Sequence, residues 1–548
     1  MDDDTQDSMN TQEIHAMGWA RSLRGDQERM PFFFHWLLVA MLFIYGHLAL
    51  APQLDFLVDD WTNVYIANAQ PSYAKAMELA VRHPTRPLSM VVHYTVFRGF
   101  GDHTSYYVIL SAVMHAINMF LAMALIWLLT GHKRNALMAG LFVALLPTLS
   151  ENVNWITMIV AAGSCAIPLF LASALAWVGF NRTNHLGLGV LSAVFYALGA
   201  FSYEIGVLLP LAYLFTLRKA NFPKVFIVGL VYLILGGAYA GWYLTQGYGL
   251  AEHVTLAEHF TPDREQMLAD LIVRAKEILH WWGGHELWGA LATGMRGFNT
   301  LDIFTRMVVL AANGLIALAL GSLLHRHFRK ELLPSAAFRS WQPTLFGLAW
   351  FGATLAPCLM AYSASRLMYL PAIGLAVALL GLVNKTNPRF WCGAMMVFCF
   401  AGLTINQGIN LTWRDSGIVN RRISDHLERT REQWQDKRYI VFNSRGIAEH
   451  LNGDLLRPTT HDLSSVAYLG APNQVSLLHG VALHGMIQVN KTQAVAPRAL
   501  LDVECGTRVE GEMLYFHDRK NPTAAHSVAL DQVYFVDCYE ALGIFGVR

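Results

Sequence analysis

Runs of roughly twenty apolar residues recur along most of this chain, and they decide what it can fold into. About twenty helical residues cross a hydrocarbon core of ~30 Å. In lipid, only helices and closed barrels satisfy every backbone donor and acceptor. A soluble helix would carry an apolar stripe instead of an unbroken run. Composition agrees: 54% of the residues are apolar and 14% charged, where a soluble domain carries about 25% charged residues.

The runs predict a polytopic α-helical membrane protein with about eleven spans, near residues 32–50, 105–129, 136–149, 156–180, 186–201, 205–217, 225–244, 301–324, 343–361, 367–383 and 390–411. About thirty polar residues precede the first run, and no small-residue cleavage pattern follows it, so it reads as an uncleaved span. Three regions follow: a cytoplasmic N-terminal segment at 1–30, a membrane domain at 31–411, and an outer domain at 412–548.

Orientation comes from lysine and arginine in the short loops. The loops 131–135, 181–184, 218–224, 325–330 and 384–389 all carry positive charge, whereas 150–152, 202–204 and 362–366 are nearly free of it. The first set, and with it the N-terminus, is therefore expected in the cytoplasm. An odd number of spans puts the C-terminus outside, and compact loops suit a bacterial inner membrane with a periplasmic outer face. Outer loops are expected at 51–104 and at 245–300. The second reads as amphipathic helix with Trp281, Trp282 and Trp288 at the membrane interface.

In the C-terminal region, 438–442, 486–489, 500–503 and 532–536 read as strands of a small α+β or β-rich domain, with no helical-repeat period. Cys505 and Cys538 lie there and could pair in an oxidising compartment. Cys165, Cys358, Cys392 and Cys399 sit in apolar runs, where a thiol packs as a small hydrophobe. A net charge of +1 gives no reason to expect a nucleic-acid partner.

The residues that can carry chemistry gather on the expected outer face. The first outer loop holds Asp55-Phe-Leu-Val-Asp-Asp-Trp61. Adjacent carboxylates beside a membrane are costly unless solvated or used. The plain reading of Asp59 and Asp60 is a polar loop start or helix cap. The chemical one is a general base with a neighbour that orients an acceptor or binds a metal, the second carboxylate raising the first's basicity. Arg86, between prolines in His83-Pro-Thr-Arg-Pro87, suits a phosphate. Glu151 and Glu204 are lone carboxylates at two other outer helix ends, and Arg366 is a positive charge in an outer loop. For each of these three, the plain reading is a side chain snorkelling to water. No Walker sequence, glycine-rich dinucleotide loop or nucleophile elbow occurs.

Four segments, in order, resemble the membrane half of the TMTC family. These are O-mannosyltransferases with tetratricopeptide repeats, in the GT-C glycosyltransferase superfamily. The segments are Phe56-Leu-Val-Asp-Asp60 with Arg86-Pro-Leu88; Leu141-Phe-Val-Ala-Leu-Leu-Pro-Thr-Leu-Ser-Glu-Asn-Val-Asn-Trp155; Phe201-Ser-Tyr-Glu204 with Leu209-Pro210; and Ser365-Arg-Leu-Met-Tyr-Leu-Pro-Ala-Ile-Gly374. The chain departs from the family pattern at Leu146, Ile159 and Tyr203, where histidine, arginine and lysine are usual, and it shows no repeats.

The resemblance implies a GT-C-like fold and an inverting glycosyltransferase that takes a sugar from a polyprenyl-phosphate monosaccharide. The acceptor would be a periplasmic protein such as a pilin, or a glycan or glycolipid. Asp59 or Asp60 would be the base. Arg86 and Arg366 would hold the donor phosphate. Glu151, Asn154, Trp155, Glu204, Tyr369 and Asp55 would shape the sugar and acceptor pocket. No particular cofactor is implied; a divalent metal at Asp60 is an option. The competing expectation is a transporter or flippase for a lipid-linked sugar, which calls for inverted repeats and charges near the bilayer midplane.

Overall fold

The computed structural model describes residues 31–50, 60, 67, 70–82, 86–101, 103–217, 222–245, 272–273, 276, 287–328, 342–360, 365–383, 388–434, 436–437, 439–443, 485–489, 508–518 and 521–536. The helices, in chain order, are α1 (Phe32–Leu48), α2 (Tyr73–Val81), α3 (Pro87–Phe100), α4 (Thr104–Thr130), α5 (Lys133–Leu145) and α6 (Pro147–Asn154). Then come α7 (Ile156–Thr183), α8 (Leu186–Ser202), α9 (Glu204–Thr216), α10 (Phe222–Thr245), α11 (Leu287–Asn299), α12 (Ile303–Phe328), α13 (Gln342–Met360), α14 (Tyr369–Val383) and α15 (Pro388–Arg429).

Each expected apolar run contains helix. Among the described residues, five helices are long and apolar enough to cross a membrane, within α4, α7, α10, α12 and α15, or six if the bent pair α5–α6 counts as one span, against about eleven expected runs. The apolar helices Phe32–Leu48, Leu186–Ser202, Glu204–Thr216 and Tyr369–Leu380 are shorter. At 1.5 Å per residue, seventeen residues reach only about 25 Å. The chain is a multi-pass membrane protein, and its helices differ in depth: 72% of the apolar window of α7 is buried by protein, against 11% for α10. The exposed faces are apolar, as lipid requires: Phe226 and Leu233 on α10 and Phe304 on α12 are each more than 70% exposed.

Local chemistry sets the helix ends and breaks. Gly131 and Asn184 end α4 and α7 in the left-handed conformation, at φ +76° and +57°, and donate back to Trp127 O and Phe180 O. Pro147 has no N–H and pushes Leu146 into an extended conformation, so α5 stops and α6 leaves at 64°. Backbone carbonyls left by this break are met from other helices. Asn406 donates to Leu145 O at 3.3 Å, and His47 Nε2 lies 3.2 Å from Ala144 O. Within α7, residues 159–166 widen into π-helix, a form frequent at functional sites.

Among the described residues, the expected first outer loop holds the helices α2 and α3. Their apolar residues Ala76, Ala80, Tyr94 and Phe97 form a small core with Tyr107 of α4 and with Ile156, Ile159 and Val160 of α7. In the expected second outer loop, α11 covers 287–299 and packs against α15. The fit is backbone to backbone: a Cβ at Gly297 would overlap Gly408 O, and one at Gly408 would overlap Gly294 O. This docking uses the face that an interfacial helix would give to lipid. Trp281 and Trp282 lie outside the described residues, as does the side chain of Trp288.

The last expected span coincides with the apolar stretch Phe390–Arg414. The helix that holds it, α15, continues to Arg429, 42 residues or about 60 Å in all, so residue 411 lies inside a helix. Beyond it are two three-stranded sheets, made by β1 (Tyr439–Asn443), β2 (Gly485–Val489), β3 (Arg508–Glu510), β4 (Met513–Asp518), β5 (Asn521–Ala529) and β6 (Val533–Val536). One has order β2-β1-β6 and is parallel; the other, β3-β4-β5, is an antiparallel meander turning at Gly511 with φ +59°. Three expected strands coincide with β1, β2 and β6. Residues 500–503, Cys505 and Cys538 lie outside the described residues, as does the side chain of Cys358. Cys165, Cys392 and Cys399 are free thiols, buried as expected.

Candidate functional site

Arg86, Asp60, Glu151, Glu204 and Arg366 are joined by short chains of contacts around the start of α7, although the first and last are 280 residues apart in sequence. α3 begins at Pro87, whose missing N–H costs nothing at a helix start. Arg86 precedes it. Its guanidinium makes a two-pronged pair with Glu204, Nε to Oε2 at 2.9 Å and Nη2 to Oε1 at 2.5 Å, and lies 4.0 Å over the Tyr203 ring. Tyr203 is extended, and Glu204 opens the first turn of α9, where the helix dipole favours an anion.

The second pair is deeper. Glu151 lies in α6, its side chain 3% exposed, and Oε2 accepts from Arg366 N at 3.1 Å and from Arg366 Nη1 at 3.2 Å. The Arg366 guanidinium sits 5.1 Å over the Trp155 ring, and Asn152 Nδ2 donates to Arg366 O at 2.9 Å. Asn154 donates to Asn410 of α15 at 2.7 Å, and Asn410 donates to Gly46 O of α1 at 3.1 Å.

Asp60 is fully buried. Its Oδ1 accepts from both the backbone N and the hydroxyl of Thr157, each at 2.6 Å. Thr157 is two residues after Trp155, so the acidic motif meets α7 beside the Glu151–Arg366 pair. The Thr157 carbonyl faces His93 of α3 at 3.0 Å. Tyr369 opens α14 at the same end; its hydroxyl lies 3.3 Å from His115 Nδ1, and the two rings stack at 5.4 Å.

The structure thus brings together Asp60, Arg86, Glu151, Asn154, Trp155, Glu204, Arg366 and Tyr369. Asp55 and Asp59 lie outside the described residues. The expected division of labour changes in one respect. The arginines and glutamates, assigned to phosphate and sugar respectively, are paired with each other. Among the described residues, no group of three His, Cys, Asp or Glu side chains is placed to hold a metal ion.

Four residues in and around α6 carry buried polar atoms that meet no partner: Thr148 Oγ1, Asn152 Oδ1, Asn154 Oδ1 and Trp155 Nε1. Such atoms cost about 1–3 kcal/mol each when unmet. As acceptors, a donor and a hydroxyl, they match the donor and acceptor pattern of a polyhydroxylated ligand.

Thr157, His93, His115, Asn152 and Asn410 were not singled out from sequence. The available signal was their setting, since a histidine or amide within an apolar run must find a hydrogen-bond partner when buried.

No family model matches the chain, and no curated protein matches it. Among solved structures, the archaeal oligosaccharyltransferase AglB from Archaeoglobus fulgidus, in complex with an inhibitory peptide and a dolichol-phosphate, aligns at 12% identity and a TM-score of 0.35, over 80% of this chain and 63% of its own. A likeness of that size assigns neither fold nor activity. This chain spans less than two thirds of AglB's length.

Proposed function

We propose that this protein is an integral-membrane glycosyltransferase with a GT-C-like fold, moving a sugar from a polyprenyl-phosphate monosaccharide to an acceptor on the outer face. The observation that carries this reading is the convergence of three acids and two arginines, at one end of a membrane bundle, on a stretch with unmet polar atoms. The TMTC-like motifs contribute those same residues.

In this reading, Asp59 is the base that takes the proton from the acceptor hydroxyl as the acceptor oxygen displaces the carrier phosphate. Asp60 is the positioning carboxylate, since its Oδ1 is already committed to two donors on Thr157. Arg86 and Arg366 offset the charge growing on the leaving phosphate, and the glutamates hold them aimed until the donor arrives. Asn154, Trp155 and Tyr369 line the sugar. The acceptor class, protein or glycan, would be selected by the C-terminal domain.

Asp59→Asn in cells, scored by sugar on the surface acceptor at normal protein abundance, is the test. Loss of the sugar supports the assignment; unchanged glycosylation removes it.

The 64° break between α5 and α6 favours one other reading, a transporter or flippase for a lipid-linked sugar, because secondary transporters build their sites from discontinuous helices. Asp59→Asn would then leave the sugar's chemistry intact and alter only its sidedness.

A further inference from the structure

His93 is 1% exposed on α3, seven residues beyond Arg86, or about 10 Å along the helix. Its Nδ1 lies 2.8 Å from Ser89 O and its Nε2 lies 3.0 Å from Thr157 O. Both of these ring-nitrogen contacts are to backbone carbonyls, which only accept. A neutral imidazole has one N–H and can serve one of them. The other contact would set a ring lone pair against a carbonyl lone pair. An imidazolium has two N–H groups and serves both.

His115 shows the contrast. It is equally buried, with Nε2 at 3.0 Å from Asn152 O and Nδ1 at 3.3 Å from the Tyr369 hydroxyl. A hydroxyl can donate, so a neutral ring satisfies both contacts. Partner chemistry, not burial, separates the two histidines.

A buried cation needs a counter-charge. Asp60 provides it through one residue: Thr157 N and Oγ1 donate to Asp60, while Thr157 O receives from His93. On the elements packed against α3, the charged groups among the described residues are Lys75 and Glu78 of α2, which pair with each other at the surface, and Arg182 at the far end of α7. The other titratable side chains there are tyrosines, Cys165 and His115.

We propose that His93 is a resident imidazolium of this site. It is a positioning residue that fixes Thr157, balances Asp60, and adds a permanent positive charge to an end whose arginines are each matched to a carboxylate. Its protonation does not depend on the glycosyl-transfer reading; only its benefit to an anionic leaving group does.

Nitrogen NMR of the full-length protein, labelled at histidine and held in lipid nanodiscs, tests this directly. The resonances lost in His93→Gln identify the ring. Expected at neutral pH are two protonated ring nitrogens, and a titration midpoint lowered by about one unit or more, tenfold in proton affinity, in Asp60→Asn. If His93→Gln does not accumulate, the shape-conserving Asp60→Asn identifies the ring by that same shift. One protonated and one bare nitrogen at neutral pH overturns the proposal, as does a midpoint indifferent to Asp60→Asn. A doubly protonated His93 in a protein that transfers no sugar would support the proposal and remove the glycosyltransferase reading.

Discussion

The two ends of the helical bundle use their basic side chains in opposite ways. At the end read as cytoplasmic, Arg182 donates to Leu128 O, Lys224 Nζ donates to Asn184 O at 2.9 Å, and Lys133 lies 5.7 Å over the Trp127 ring. Leu128 is in the last turn of α4, and Asn184 caps α7. Cations belong at such termini, where carbonyls lack helical partners and the dipole is negative. At the other end, Arg86 and Arg366 face Glu204 and Glu151, with Asp60 and His93 close by. Helix ends explain where the first set sits. They do not explain the second, because an intramembrane or interfacial acid–arginine pair is costly without a use. Charge that only follows the topology leans on backbone; charge that serves chemistry is held against opposite charge.

The comparison can be broken by removing one member at each end. Glu151→Gln takes the buried carboxylate away from the Arg366 guanidinium, and should cost about 3–5 kcal/mol. Arg182→Gln removes the hydrogen bond to Leu128 O and should cost less, about 1 kcal/mol. Thermal unfolding of both variants in the same detergent decides; equal losses would erase the distinction.

A double-mutant cycle on Arg86 and Glu204 sharpens it. Their side chains are 21% and 31% exposed, so solvent screens them, and a coupling near 1 kcal/mol is expected. A coupling as large as the whole Glu151 effect would mean that both pairs are sealed.

Asn406→Leu removes a donor from Leu145 O at the helix break. A membrane hydrogen bond of this kind contributes about 0.6 kcal/mol, so unfolding should shift slightly while transfer falls if the break aims Glu151. Unchanged transfer would detach the break from the site.

The smallest effect belongs to Lys75 and Glu78 on the surface of α2. Hydrogen bonding and attraction from Lys75, then the charge of Arg82, hold the Glu78 carboxyl below its ordinary value. What the pair adds is present at neutral pH and fades only as pH falls through the carboxylate range. Lys75→Ala should therefore leave the melting temperature within error at neutral pH.

Much of this was legible in the sequence, for identifiable reasons. Apolar runs marked the helices because lipid forbids an unsatisfied backbone. The scarcity of cations in three loops brought Glu151, Glu204 and Arg366 to one face. The pairings were not legible: Glu204 is 118 residues from Arg86, and Arg366 is 215 from Glu151, so no local pattern links them. The continuation of α15 beyond its span was not legible, because polar residues after 411 end a membrane run without ending a helix. Docking of α11 depends on glycines at 294, 297 and 408 meeting across the fold. The hairpin at 508–518 had a readable signal, an apolar run beside Gly511, that was passed over.

The central claim is that the acid-paired end, and not the carbonyl-capped end, carries out sugar transfer. Purified protein in nanodiscs, supplied with a labelled polyprenyl-phosphate monosaccharide and acceptor, tests it. Asp60→Asn should lower the transfer rate by about a hundredfold or more, the scale of losing a group that orients a base. The Arg182→Gln, Lys224→Gln double variant should keep most of the rate. Full activity in Asp60→Asn, or an equal loss in the double variant, would contradict the account.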